Sequence, residues 1–490
     1  MTSSKSTKRA LITSALAILM CAAMLIGTTF AWFTDTASTG VNKIVSGNLK
    51  VDIIGADSDS HIEKLNFTKA ATTDAEAGAE ILWEPGCRYL TEGFRIANKG
   101  NLALKWKAQV NTGTTAANEG NFDLLDVIDF YLVTKAADGT ETETALDEFT
   151  GNLKKTETSD VYYIKGVMQT TAGNDYQGLT LDGISITVVA TQDTVESDSF
   201  DNQYDKDAEY PILVTTGDEL QAIVSNATAP VNIVLTNSIT TNNFVIPADK
   251  DVTLDLNGRT VTNAGSHTIL NKGHLTLTDS SADKSGQIIS LKGNTAALRN
   301  GDNAVCVVEG GTISRDGANG NTWHVVENFG KMTFNGGKVV LKNGNGFAIT
   351  NGWNYFDPGA STTHAVMEIN ALELDTDSSG IKNCRYGDLT VNDVTVTSTG
   401  YWALSNDYLG TAVINGGTLT SNSFKAVSNG AAMTVNGGTF DGTQGFFVQS
   451  YATSTVLNGG TFANMTVDAL SSYVGAGHTA QQSGTSVIIK

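Results

Sequence analysis

One short run recurs through the second half of the chain and leaves few folds open to it. The pattern apolar-x-apolar-Asn-Gly-Gly stands at residues 332–337, 412–417 and 433–438, and at 455–460 with Thr455 in the first place. Weaker copies put Thr236, Asn257, Thr278, Glu309, Asn370 and Asn392 at the asparagine position. The ten corner residues from Thr236 to Asn458 are separated by 21, 21, 31, 26, 35, 22, 23, 21 and 22 residues. A period of twenty-odd residues is one coil of a solenoid, stable only when its apolar face is covered by the next coil. Between corners the residues give strand signals and no helical period. The chain holds 50 glycines and only 5 prolines, a balance suited to tight corners between unbroken strands. We therefore expect a β-solenoid of ten coils over residues 211–490, a rod of roughly 45–50 Å at about 4.8 Å per coil.

Leu235, Leu256, Leu277, Val308, Phe334, Ile369, Val391, Ile414, Val435 and Leu457 precede the corners and form the expected inward file. The glycine after asparagine supplies a positive φ. Asparagine tolerates the left-handed region, and its amide can bond the same amide one coil away. The expected ladder is Asn257, Asn335, Asn370, Asn392, Asn415, Asn436 and Asn458. Residues 216–224 read as an amphipathic helix capping the first coil, and residues 478–490, with a strand at 486–489, as closure of the far end. The pattern resembles the right-handed parallel β-helix of the pectate-lyase-like superfamily. Enzymes of that kind carry Asn-Thr-Asp, Asp-Asp and Gly-His-Gly signatures. Here only the fragment Gly273-His274-Leu275 stands, and Asp255 and Arg259 share a coil without a marked partner. No catalytic residue and no cofactor is assigned; a polysaccharide lyase or hydrolase is the alternative reading.

The longest interval holds Gly352-Trp353-Asn354-Tyr355-Phe356-Asp357, and Tyr401-Trp402 follows farther on. Aromatic side chains on a rigid rod can stack on sugar rings or a protein partner, and insertions in a repeat project on one face. Trp353, Tyr355, Phe356, Tyr401 and Trp402 are therefore the candidate glycan or partner contacts; the alternative is that they cover the rod's own flank. Asp375-Thr376-Asp377-Ser378-Ser379-Gly380 imitates the start of a calcium loop, but Tyr386 stands where the closing acid belongs. It reads as a polar corner.

The N-terminus is an address. Lys5, Lys8 and Arg9 precede an uncharged apolar run over 10–27, and small residues follow up to Ala31. This is the layout of a secretory signal peptide over 1–31, cut between Ala31 and Trp32; an uncleaved anchor is the alternative. In the next segment, 32–192, Leu102, Leu104, Trp106, Ala108 and Val110 alternate with mostly polar residues, a half-buried strand. Phe94-Arg95-Ile96 and the turn Asn98-Lys99-Gly100-Asn101 before it suggest a hairpin, and Pro85-Gly86 a type II turn. Further strands are expected at 47–54, 128–134, 161–168 and 184–191, with a short helix at 123–128. The sum is a β-sandwich, so the fold class is all-β.

The run Thr29-Phe30-Ala31-Trp32-Phe33-Thr34-Asp35, then Ser46-Gly47-Asn48-Leu49, Glu84-Pro85-Gly86, Phe94-Arg95-Ile96-Ala97-Asn98, Gly173-Asn174-Asp175-Tyr176 and Val189-Ala190-Thr191-Gln192 resembles the TasA/camelysin family, secreted through a SipW-type signal peptidase. The resemblance implies a jelly-roll-like fold and assembly into extracellular biofilm-matrix fibres, in which the N-terminal segment of one subunit completes the sheet of the next. Trp32, Phe33, Thr34 and Asp35 would be that assembly strand, freed by cleavage to add to an exposed sheet edge; folding back into their own domain is the alternative. Part of the family has been labelled metalloprotease. No HExxH is present, and His61, His267, His274, His324, His364 and His478 are scattered without ligand spacing.

Residues 193–210 carry Asp193, Glu196, Asp198, Asp201, Asp205, Asp207 and Glu209 against a single lysine, and read as a solvated, extended linker. The whole chain is at −20, which argues against nucleic-acid and anionic-lipid partners. Cys87, Cys306 and Cys384 are too few and too scattered for a disulfide framework. The chain is thus expected to be a secreted, extracellular protein of the bacterial surface or biofilm matrix. It would assemble with itself or related matrix subunits and display the rod to cell-surface glycans.

Overall fold

A computed structural model describes residues 48–490 apart from 63–64, 69–80, 82, 112–113, 116–121, 147–148, 183–184, 194–208, 264, 318–322, 355–357, 360–362 and 444. The expected signal segment, the Ala31/Trp32 cut, the assembly residues Trp32, Phe33, Thr34 and Asp35, most of the acidic linker, and Tyr355 and Phe356 lie outside the described residues.

The N-terminal part is antiparallel β. One sheet of 7 strands is built around Tyr162–Met168, and a 3-stranded sheet centres on Leu104–Asn111 between Ser185–Gln192 and Phe149–Leu153. The two faces close over Phe94, Ile96, Leu104, Trp106, Leu132, Leu153 and Ile164. The alternation from Leu104 to Val110 does bury every second side chain. Gly86 takes φ +86° with Cys87 N–H bonded to Glu84 O, the corner expected of Pro85-Gly86. The expected hairpin does not form. Phe94–Asn98 pairs with Val51–Gly55 in the large sheet, while Leu104–Asn111 belongs to the small one. Asn98 makes this corner a crossing between sheets. Its buried Nδ2 donates to Leu102 O, Leu153 O and Lys154 O, and its Oδ1 accepts from Gly100 N.

Residues 212–490 wind into a right-handed parallel β-solenoid of about ten coils. Its first sheet has 11 strands, from Ile212–Val214 to Ser454–Leu457; its second has 12, from Ile239–Thr241 to a closing hairpin; its third has 9, from Val245–Ile246 to Phe446–Val448. The helix Gly217–Asn226 covers the first coil with Leu220 and Val224 fully buried. Thr216 caps it, and the Glu219 carboxylate accepts from Thr215 N. At the far end Ala480–Ser483 and Ser486–Ile489 add antiparallel to Gly460–Ala463, which ends the second sheet without an open parallel edge.

The inward file of the first sheet runs Ile233, Leu254, Leu277, Val308, Phe334, Ile369, Val391, Ile414, Val435, Leu457 by register. Leu235 and Leu256 also point inward and are fully buried, but stand two residues beyond it. Cys306 lies between Leu275 and Met332 in the neighbouring file, a small buried hydrophobe whose thiol burial pushes up to about 12.

The corners are two-glycine devices. The positive φ falls on the second glycine, at Gly337, Gly417, Gly438 and Gly460, and not on the one next to asparagine. The first glycine is needed for close approach: a Cβ on Gly336, Gly416 or Gly437 would stand 2.6–2.7 Å from the corner carbonyl of the preceding coil. The asparagines keep ordinary backbone and use their amides. Nδ2 of Asn335 donates to Glu309, and those of Asn370, Asn392, Asn415, Asn436 and Asn458 each donate to Oδ1 of the corner before, at 2.7–2.9 Å. Asn257 is outside this file. Asp255 holds the corner register there, paired with Thr278, while Asn257 turns through φ +46° and donates to Leu235 O.

The sandwich and the first coils touch directly. Asn111 Nδ2 donates to Thr236 O at 2.9 Å, and Arg259 Nη2 to Ser185 Oγ at 3.0 Å. Arg259, unpartnered in the sequence reading, thus bonds the sandwich.

Candidate functional site

The third sheet presents the face with the most chemistry. Its core strands read apolar-x-Asn: Ile269–Asn271, Leu298–Asn300, Val326–Asn328, the end of Phe347–Asn351, the end of Ser379–Asn383, Leu404–Asn406 and Val427–Asn429. The asparagines form a second ladder, opposite in sense to the corner one. Each Nδ2 from Asn271 to Asn406 donates to Oδ1 of the next coil, at 2.7–2.9 Å, and also to a backbone carbonyl of that coil. All seven members are no more than 1% exposed. Sequence reasoning missed them, because no glycine pair marks them; the recurring three-residue strand ending in Asn is the signal that would have found them.

The residue before each asparagine points away from the coil interior, although Glu327, Thr350 and Ser428 are themselves buried. Arg299, Glu327, Thr350, Lys382, Ser405 and Ser428 follow one another in register. The aromatic residues expected to make contacts flank this row on opposite sides. Trp353 follows its strand and packs on Phe329 at 4.7 Å, half-buried. Tyr401 and Trp402 precede theirs. Trp402 stacks on Phe347 at 6.1 Å and 8° and meets Phe424 edge-on at 5.6 Å. Trp402 is half-buried, so much of its surface does serve the rod's own flank, whereas Tyr401 is 56% exposed. Of the ten large apolar side chains left exposed among the described residues, Tyr401, Tyr408, Leu409, Phe447 and Tyr451 border this sheet's last coils. Half of the exposed large apolar side chains thus gather along one sheet rather than scattering over the rod.

At its other end the face carries a buried polar cluster. Arg299 Nη1 stands 3.1 Å from Glu327 Oε2, and Trp323 Nε1 donates to Glu327 Oε1 at 2.9 Å. Burial raises the Glu327 pKa against the pull of Arg299. Arg315 points into the interior, donating to Ser290 Oγ and Lys292 O; burial brings it down to about 10, opposed by Glu327. His324 is 1% exposed, with Nδ1 at 3.1 Å from Phe347 O. Burial, with Lys382 and Arg315 adding to it, holds His324 down to about 4; burial and Arg299 do the same to His267, whose Nδ1 accepts from Ala296 N.

A histidine whose folded pKa is depressed binds fewer protons folded than unfolded, so it withdraws stability as pH falls from its ordinary value of about 6.5 toward 4. Glu327, shifted upward, acts in the opposite sense, since its protonated form is the one the fold prefers. We expect His324→Gln to flatten the loss of urea stability between pH 7 and pH 5 relative to the unaltered chain. An unchanged pH slope would show that His324 is not the group responsible.

Among the described residues no group of three or more His, Cys, Asp or Glu could hold a metal ion, and no helix is long and apolar enough to cross a membrane. The calcium-like run is a corner: Asp375 pairs with Lys342, and Asp377 accepts from Asn343 N. No protein family, curated protein or solved structure matches the chain.

Proposed function

We propose that the chain is a secreted structural and adhesive protein of the bacterial cell surface or biofilm matrix. Its N-terminal part assembles by strand addition in the manner of the TasA-like proteins it resembles, and its solenoid presents a glycan-binding face. The observation that carries the binding half is the gathering of exposed rings along the third sheet, on a β-solenoid held rigid by two amide ladders. Aromatic side chains fixed on such a scaffold offer apolar area at little cost in conformational entropy. The assembly half rests on the residue runs from Thr29 to Gln192 and on the aromatic pair that cleavage would expose.

Both halves are open to one set of measurements on the chain from residue 32 onward. Negative-stain images across a concentration range are expected to show filaments, lost on deleting residues 32–38 while the β-sheet circular dichroism persists. Tyr401→Ala with Tyr451→Ala is expected to weaken glycan binding at least tenfold without changing the melting temperature. Filaments that survive the deletion would remove strand addition; intact binding by the double variant would remove the third-sheet face.

A polysaccharide-cleaving enzyme is the second reading, favoured by one observation: a buried carboxyl, Glu327, with a raised pKa beside a fixed guanidinium. Release of glycan ends that vanishes in Glu327→Gln would support it.

A further inference from the structure

On a chain at −20, Arg299, Lys382, Arg385 and Lys425 stand on or beside the strands of the third sheet. Arg299 and Lys382 each have a carboxylate, Glu327 and Asp407. Arg385, whose backbone bridges to Trp353, and Lys425 have none among the described residues. Lys425 is the better placed. Its Nζ lies 3.5 Å from the centre of the Phe447 ring and 4.9 Å from that of Phe424. Two rings hold the ammonium in place without neutralising it. The exposed rings of Tyr401 and Tyr451 stand on the coils before and after that of Lys425.

We propose that the third-sheet face from Lys382 to Phe447 takes a polyanionic glycan, its sugar rings lying on Tyr401 and Tyr451 and an acid group meeting Lys425. This rests on the glycan-display reading above and adds to it the charge of the ligand. The acid group is a uronate carboxylate, carried on the sugar ring that the tyrosines would stack on. Double-stranded nucleic acid does not fit: it carries one charge per about 1.7 Å and demands a long basic track, where this face has two cations without a carboxylate among the described residues.

The test is calorimetric titration of the chain from residue 32 onward with polygalacturonate, a poly(glycerol phosphate) and neutral dextran. Polygalacturonate is expected to bind ten or more times tighter than dextran and tighter than poly(glycerol phosphate), which carries charge but no sugar ring; poly(glycerol phosphate) binding as tightly would overturn the stacking on Tyr401 and Tyr451. Lys425→Gln is expected to weaken polyanion binding about tenfold, the worth of one charge-assisted hydrogen bond, and Lys425→Arg to retain it. Binding should vanish near 1 M salt, where the screening length is about 3 Å. Dextran binding as tightly as the polyanions, or a Lys425→Gln chain that binds unchanged, overturns the charge assignment and leaves glycan display standing. Failure of all three polymers with the circular dichroism intact overturns both.

Discussion

Asn351→Ala destabilises the solenoid by about 3–4 kcal/mol, whereas Asn415→Ala costs about 1 kcal/mol or less. Both residues bond amide to amide between coils, but Asn351 is buried and also donates to a backbone carbonyl, whereas Asn415 stands at an exposed corner. Asn351 is fully buried; its Nδ2 donates to Asn383 Oδ1 at 2.9 Å and Asp388 O at 3.1 Å, and its Oδ1 accepts from Asn328 at 2.7 Å. Alanine leaves those groups without water to replace the lost partner, and each stranded polar group costs about 1–3 kcal/mol. Asn415 bonds Asn392 and Asn436 at 2.8 Å, but at an exposed corner where water takes its place. Each coil touches only its neighbours, so a defect at Asn351 also splits the cooperative unit. Urea denaturation followed by circular dichroism is expected to show a lower first midpoint and a second transition for Asn351→Ala alone. Equal costs for the two variants would mean that the buried ladder contributes no more than the exposed one.

Phe440→Ala is expected to cost about 3–5 kcal/mol, the ordinary range for emptying a buried phenylalanine site. Phe440 stacks on Phe462 at 4.9 Å and 19°, and Phe446 meets both edge-on, at 6.0 and 5.5 Å. These three rings fill the last coils, and Gly438 and Gly460 turn against them with no side chains of their own to close a cavity. The damage should stay near the end it strikes. Hydrogen exchange is expected to accelerate across Phe446–Val448 and Ser454–Leu457 while Val231–Leu235 keeps its protection, and glycan binding should fall with it, since Phe447 and Tyr451 lie on the loosened coils. Uniform acceleration along the rod would instead indicate one all-or-none unit.

Much of the rod was legible because its rules are local. A glycine pair after asparagine is a corner wherever it stands, and the capping helix announces itself through Thr216 and Glu219. Legibility failed where the choice was between partners. Asn257 carries the same residue type as the ladder, yet the register puts Asp255 at the corner, because pairing with Thr278 is settled by the whole strand and not by one amide. The strand at Phe94–Asn98 was recognisable from its own residues, but that it joins Val51–Gly55 rather than its successor depends on Asn98 reaching carbonyls more than fifty residues away. Tyr401 and Trp402 were visible as aromatics; only the fold separates the one that stays open from the one that packs on Phe347.

Period, alternation and glycine placement determined by themselves that residues 212–490 stack as coils around an apolar interior, since backbone geometry and the burial of every second side chain are properties of short stretches. Tertiary structure alone decided which asparagines are buried, that Arg259 ties the rod to the sandwich, and that rings from intervals far apart in the chain border one sheet. Those outcomes depend on the irregular lengths of successive coils, 26 and 35 residues beside 22, which set what stands above what. Stacking converts a difference in loop length into a neighbour in space, and no window of sequence contains that sum.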